Sequence, residues 1–164
     1  MTTFNKRSEE LFKTLHPVLQ LTLLKAQVFS PFAFDIPDDG GHRSEKRQLE
    51  LFQQGRELQR GVWVKVGRTV TNIDGITKKG KHNENPSMAV DLFCNIPGKP
   101  DLAFNQVQLC VLAGVMISAF RQLQLEDSSA DKYDLVWGGD WDSDGEAIRD
   151  QKLIDLPHYE LRAV

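Results

Sequence analysis

The chain has 164 residues, 40% apolar and 26% charged, with a formal net charge of −3. That length and composition suit one globular domain over residues 1–164, with enough apolar material for a real core. The acidic balance and the even spread of Lys and Arg exclude a nucleic-acid binder, which carries a basic surplus.

No apolar signal core follows the first ten residues, so a secretory signal peptide is not expected. Apolar residues at Leu11, Leu15, Val18, Leu19, Leu23 and Val28 fit one helical face. Pro17 suits the first turn of such a helix and sets residues 8–15 apart as a separate short piece. His16, just before it, reads as a surface or capping residue. Ser30-Pro31 ends the helix, and residues 32–36 alternate as a short strand. Residues 37–41 are a turn. Ser44 looks like an N-cap for a helix over residues 45–54, stopped by Gly55. Residues 56–80 are polar and Gly-punctuated, a surface segment with a short strand at 62–66. Residues 89–93 read as a core strand, 97–100 as a turn and 105–125 as a long helix. Its apolar run, 109–120, is too short to span a bilayer, so no membrane insertion is expected. Residues 133–137 form a strand, 138–153 an acid-rich loop and 158–161 a last short strand. Cys94 and Cys110 make no framework and read as packed thiols, although Cys94 lies close to Asp91. The expected fold is α+β, with helices packed on a small antiparallel sheet and polar clusters at its strand ends.

Three such clusters stand in order. They are Lys81-His82-Asn83-Glu84-Asn85-Pro86-Ser87-Met88-Ala89-Val90-Asp91, then Trp137-Gly138-Gly139-Asp140-Trp141, then Asp155-Leu156-Pro157-His158-Tyr159-Glu160. Two histidines and one carboxylate leave a tetrahedral zinc one open position, as hydrolysis requires. The spacing alone matches no standard Cys/His signature. Read from the residues, Asp155 could equally cap the turn before Pro157, and Arg43 could pair with a surface acid.

These clusters, with Gly41-His42-Arg43-Ser44 and Gln48 before them, resemble the zinc peptidases that include D-Ala-D-Ala carboxypeptidases and phage L-alanyl-D-glutamate endolysins. That fold family also holds lysostaphin-type enzymes and the hedgehog signalling domain. The resemblance runs from His16-Pro17 to the C-terminus. It implies zinc ligands His82, Asp91 and His158, a catalytic carboxylate at Asp155 and a substrate-binding Arg43. Zinc so held keeps a bound water acidic, with a pKa of about 7, and Asp155 would take its proton.

The activity implied is that of an endolysin cutting the L-Ala–D-Glu bond of peptidoglycan. Such a protein would be a monomer without a separate cell-wall-binding domain. It would accumulate in the host bacterial cytoplasm and reach the wall when a holin opens the membrane. The alternatives are a D,D- or L,D-carboxypeptidase of the same fold, and a zinc-bearing binding domain without activity. This chain departs from the family in two places. Gly80 stands where a serine is common, and residues 83–87 lengthen the loop between His82 and Asp91, making Glu84 the fallback ligand.

The acidic loop carries a separate pattern. Asp140, Asp142, Asp144 and Gly145 match positions 1, 3, 5 and 6 of a calcium loop, but Gln151 stands where the closing Glu belongs. It reads either as a solvated loop or as a calcium site that orders the segment leading to Asp155 and His158.

Overall fold

A computed structural model describes residues 4–164. Two helices open the chain. In α1 (Lys6–Phe12) the Asn5 side chain accepts from Ser8 N, and in α2 (Pro17–Phe29) the His16 ring accepts from Val18 N. The break before Pro17 and the capping role of His16 are as expected. Val28 is not on the buried face: it is 78% exposed, because the buried stripe of α2 runs through Val18, Leu19, Leu23 and Ala26. α3 (Glu45–Gln53) starts on Ser44, whose hydroxyl accepts from Arg47 N, and ends one residue earlier than expected.

The long helix α4 (Gln106–Glu126) is capped by Asn105 and packs against α2. At 21 residues it is long and apolar enough to cross a membrane by length and composition, beyond the expected extent of its apolar run. Leu109, Leu112, Ala113, Met116, Ala119, Phe120 and Leu123 bury one of its faces in the core. At roughly 1.5–3 kcal/mol for each large apolar side chain removed from water, that face is a main source of stability.

The strands are β1 (Ala33–Asp35), β2 (Arg56–Gln59), β3 (Val62–Lys65), β4 (Ala89–Asp91), β5 (Phe93–Asn95), β6 (Tyr133–Trp137) and β7 (His158–Ala163). The fold is α+β, but the one expected sheet is three small antiparallel ones: β1–β5, β2–β3 and β4–β7–β6. The expected strand 89–93 breaks at Leu92, whose N–H donates to the Pro157 carbonyl. There the chain leaves the β7 ladder and joins β1. β2 was not expected, because Arg56-Glu57-Leu58-Gln59 lacks the β-branched residues that mark strands. Arg60 (φ 51°) and Gly61 (φ 82°) fold it onto β3 through a two-residue left-handed turn.

Cys94 and Cys110 are both free, and Cys94 is buried. Burial pushes its thiol up to about 11, as for a packed side chain.

Candidate metal centre

The β4–β7 ladder sets Asp91 opposite His158, so pairing alone brings two expected ligands side by side. His82 arrives from a 3-10 turn, Lys81–Asn83. Backbone bonds hold this turn in place: Arg43 N donates to the His82 carbonyl (2.8 Å) and Met88 N to the Lys81 carbonyl (3.0 Å). Asn83 braces it on both sides, accepting from Gly80 N and donating to the Arg43 carbonyl. Gly80 thus contributes its backbone rather than a hydroxyl.

Three donor atoms converge. His82 Nε2 lies 3.2 Å from Asp91 Oδ1 and 3.3 Å from His158 Nδ1, and the last two atoms are 3.0 Å apart. Zinc bonds of about 2.0–2.1 Å place neighbouring tetrahedral ligand atoms about 3.3 Å apart. The triangle therefore fits three corners of a zinc-sized tetrahedron. Both imidazoles are buried, at 5% and 8% exposure, which keeps water from competing for their inner faces.

The surroundings decide which nitrogen is free. The Gly41 carbonyl accepts from His82 Nδ1 at 2.8 Å, and Glu160 Oε2 accepts from His158 Nε2 at 3.1 Å. Each ring proton then sits on the outer nitrogen, and the lone pairs of His82 Nε2 and His158 Nδ1 face each other. Two lone pairs at that distance repel unless a cation or a proton lies between them. The chemistry of the donor set therefore fits an ion.

Charges at the site follow from the same contacts. Burial opposes ionisation of Asp91, but the two imidazoles outweigh it and hold its carboxyl well below the ordinary value. Burial likewise opposes a charged His158, yet the hydrogen bonds to Asp91 and Glu160 raise its pKa to about 9. Glu160, opposed by burial but bonded to His158 and Arg162, falls to about 2. Arg43 Nη2 donates to Asp91 Oδ2, and its Nε to the Asp39 carbonyl. Arg43 is therefore at the site as the partner of a ligand, its side chain 15% exposed.

Asp155 is placed by a backbone clamp. Its N–H donates to the Gly138 carbonyl, Gly138 N donates to the His158 carbonyl, and His158 N donates to the Asp155 carbonyl. A Cβ on Gly138 would stand 2.2 Å from the Asp155 carbonyl oxygen, so only glycine permits this approach. Asp155 as a residue is exposed. Even so, the protein packed around its carboxylate, and then the Asp91 charge, raise its pKa against the pull of His158, His82 and Arg43. Trp137 Nε1 donates to the Leu156 carbonyl and Trp141 Nε1 to the Leu153 carbonyl, so both indoles pin the segment before His158. The Trp141 ring also lies against His158, with centroids 5.3 Å apart.

The lengthened loop does not displace Asp91. It contains a cis Asn85-Pro86 bond, and Ser87 anchors it to the junction of the first two helices: Ser87 N donates to the Thr14 carbonyl and His16 N to the Ser87 carbonyl. Glu84, the fallback ligand, is not among the donors of the triangle and pairs with Lys81 at 3.0 Å.

Asp140, Asp142 and Asp144 are also brought together, with ligand-type atoms within 4.8 Å of one another. Gln151, at the position of the missing Glu, donates to Asp142 Oδ1 and accepts from Trp141 N, so an amide closes that side.

Sequence reasoning assigned no role at the site to four contributors. Gly40 read as part of a turn and Gly41 as turn and family motif, yet their carbonyls receive Asp91 N and His82 Nδ1. Glu160 and Arg162 continue the line from His158, with Arg162 Nε 2.8 Å from Glu160 Oε1. The signal for these two was strand alternation, which puts residues 158, 160 and 162 on one face.

Helices with small antiparallel sheets, in this arrangement, define an α+β fold already seen in an endopeptidase. That solved structure is the L-Ala D-Glu endopeptidase ChiX of Serratia marcescens: TM-score 0.60, 22% identity, 96% of this chain and 87% of that chain covered. At this identity the likeness establishes the fold. No family model matches the chain, and no curated protein matches its sequence.

Proposed function

We propose that the chain is a zinc peptidase of the endolysin type that hydrolyses the L-Ala–D-Glu bond of peptidoglycan stem peptides. The observation that carries this reading is the His82–Asp91–His158 donor triangle, with Asp155 clamped beside it, on a fold shared with an L-Ala D-Glu endopeptidase. A zinc ion held by His82 Nε2, Asp91 Oδ1 and His158 Nδ1 would supply Lewis acidity to the attacking water and the scissile carbonyl.

The chain's own residues do the rest. The Asp155 carboxylate takes one proton from the attacking water, and its raised pKa makes it a better acceptor than an ordinary aspartate. A C–O bond forms at the L-Ala carbonyl carbon and the C–N bond breaks. The proton passes from Asp155 to the leaving D-Glu nitrogen. The Arg43 guanidinium is a fork of donors, and its Nη1 makes no hydrogen bond among the described residues. That nitrogen is free for a stem-peptide carboxylate while Nη2 steadies Asp91. In this reading the protein accumulates in the host cytoplasm and meets the wall after holin-mediated release.

Digestion of purified peptidoglycan by the zinc-loaded protein, with the new termini identified by mass spectrometry, tests the assignment. A new N-terminal D-Glu is expected. Free D-Ala would make the chain a carboxypeptidase, and an undigested wall would make it a binding domain.

The acidic loop supports a second, separate ion. Asp140 Oδ1 is buried and has no hydrogen-bond partner among the described residues, and two further carboxylates stand within 4.8 Å. Calcium there would order the loop that leads to Asp155. A rise in melting temperature with calcium is expected, and an unchanged melt would remove this ion from the account.

A further inference from the structure

The sheet that carries the centre has the order β4–β7–β6, so β6 is paired on one side only. Gly138 N donates to the His158 carbonyl and Val164 N to the Lys132 carbonyl. In an antiparallel ladder such inward bonds fall on every second residue. Residues 132, 134, 136 and 138 therefore bond to β7, while 133, 135 and 137 turn their backbone groups outward. Leu161, opposite Leu135, has the matching phase: its N–H donates away from β6, to the Met88 carbonyl. Two of the outward carbonyls are taken. Gln124 Nε2 donates to that of Tyr133 (3.1 Å) and Asp140 N to that of Trp137 (3.0 Å). Between them, the Leu135 N–H and C=O make no hydrogen bond among the described residues. An unpaired edge is a template for an added extended segment.

This edge borders a groove of about 850 Å³, walled by α4 on one side and the acidic loop on the other. Gly114, Ile117 and Phe120 line it from α4, and a Cβ on Gly114 would meet nothing within 4 Å. The chain doubles back between α4 and β6, and the Gln124–Tyr133 bond fixes which ends meet. Arg121 thus lies toward Tyr133, and Gly114 toward Trp137 and the acidic loop. Arg121 lines the groove, is exposed, and makes no hydrogen bond or ion pair among the described residues. The opposite end carries Asp140, Asp142 and Asp144, whose three charges outnumber the two of a calcium ion. A guest carboxylate is therefore drawn to Arg121 and repelled from the loop. From Gly114 to Arg121 the helix rises about 10 Å, the span of about three extended residues. The acidic end adjoins the centre, since Trp141 lines the groove and its ring lies against His158.

We propose that this groove holds the leaving side of the stem peptide, the three residues from D-Glu to a terminal D-Ala, with the terminal carboxylate on Arg121. One guest residue exchanges two hydrogen bonds with Leu135. Because the open stretch is a single residue long, the mixed chirality of a stem peptide does not prevent that pairing. A second copy of the chain would need a flat edge, and here α4 and the acidic loop flank it. The inference rests on the peptidase reading and adds a specificity residue to it: the chain prefers stems whose third residue beyond the cut ends in a free carboxylate.

Two measurements on the zinc-loaded protein test this. The first compares cleavage of L-Ala–γ-D-Glu–L-Lys–D-Ala with that of its C-terminal amide. The amide should show a KM about tenfold higher at unchanged kcat. Arg121→Gln should raise the KM of the acid to that of the amide and leave the amide as it was. Gly114→Phe should fill the groove and raise KM for both. Both variants should keep the parental melting temperature and zinc content, since Arg121 is unpaired and position 114 faces open space. The second measurement is calorimetric binding of the product, γ-D-Glu–L-Lys–D-Ala, with L-Ala–L-Ala–L-Ala as control. The product should bind the parent, bind Gly114→Phe at least tenfold more weakly, and outcompete the control. Equal KM for acid and amide, a difference that survives Arg121→Gln, no binding of the product, or equal binding of the all-L control would each overturn the proposal. Product binding without cleavage of the tetrapeptide would keep the groove and remove the peptidase reading instead.

Discussion

Two glycines that look alike in the sequence should respond oppositely to the same methyl group. Gly138→Ala would put a Cβ 2.2 Å from the Asp155 carbonyl oxygen and 3.0 Å from its carbonyl carbon. Ordinary contact begins near 3.4 Å, so the 138 and 155 backbones must separate by more than about 1 Å. That movement disrupts two hydrogen bonds, Asp155 N to the Gly138 carbonyl and Gly138 N to the His158 carbonyl. At about 1 kcal/mol each, the loss is about 2 kcal/mol. For a chain of this size it lowers Tm by roughly 4–8 °C. A displacement of about 1 Å at a catalytic group costs on the order of a hundredfold in rate. Gly114 lies inside α4, and a Cβ there meets nothing within 4 Å. Gly114→Ala should therefore stabilise by about 0.5–1 kcal/mol through helix propensity and leave the rate unchanged. Thermal melts and peptidoglycan release on the zinc-loaded variants measure both effects. Parental activity in Gly138→Ala would refute the claim that this clamp positions Asp155.

Asp155→Asn should keep stoichiometric zinc and lose activity by about 10²–10⁴-fold, because the amide cannot take the water proton. Loss of zinc with activity would make Asp155 a ligand. Glu160→Ala removes the acceptor at His158 Nε2 and should weaken zinc binding by about 10–100-fold in chelator competition. Glu160→Gln can still accept that hydrogen bond and should lose less; equal affinity in parent and Ala variant would end this role. In the metal-free protein the His158 pKa is raised to about 9, above the ordinary 6.5. A raised folded-state pKa contributes stability that is complete below the unfolded value and fades as pH climbs through the folded one. The chelator-treated protein should therefore melt progressively lower from pH 6.5 to 9, and a flat profile across that window would contradict the His158–Asp91–Glu160 contacts.

Local signals carried much of the fold. Ser44 and His16 were legible as caps because each sits just before a helical stretch, and each does cap its helix, whereas Asn105, read as the first residue of its helix, proves to be its cap. Tyr133–Trp137 was legible because every residue but Asp134 favours a strand. Where partners lie far apart in sequence, local pattern was silent. Residues 89–93 read as one strand, since nothing in Leu92 announces that its N–H goes to Pro157 across the fold. The single expected sheet became three for the same reason.

The site shows the same division, and β7 locates the boundary. His158 stood out because a histidine beside carboxylates invites a metal reading, whereas Glu160 and Arg162 look like ordinary surface charges. Yet a strand places alternate residues on one face, while Tyr159 and Leu161 are fully buried on the other. Once His158 is directed to the triangle, Glu160 and Arg162 must lie behind it, and the distances of 3.1 and 2.8 Å show the line they form. The position of the ring proton on His158 is thus written in an H-x-E-x-R alternation along one strand. The same reasoning does not extend to His82. Its outer partner is the carbonyl of Gly41, forty-one residues earlier, and a carbonyl leaves no mark on the residue that bears it. Side-chain partners within a strand are readable from its period; backbone partners across the fold are not, and this centre uses one of each.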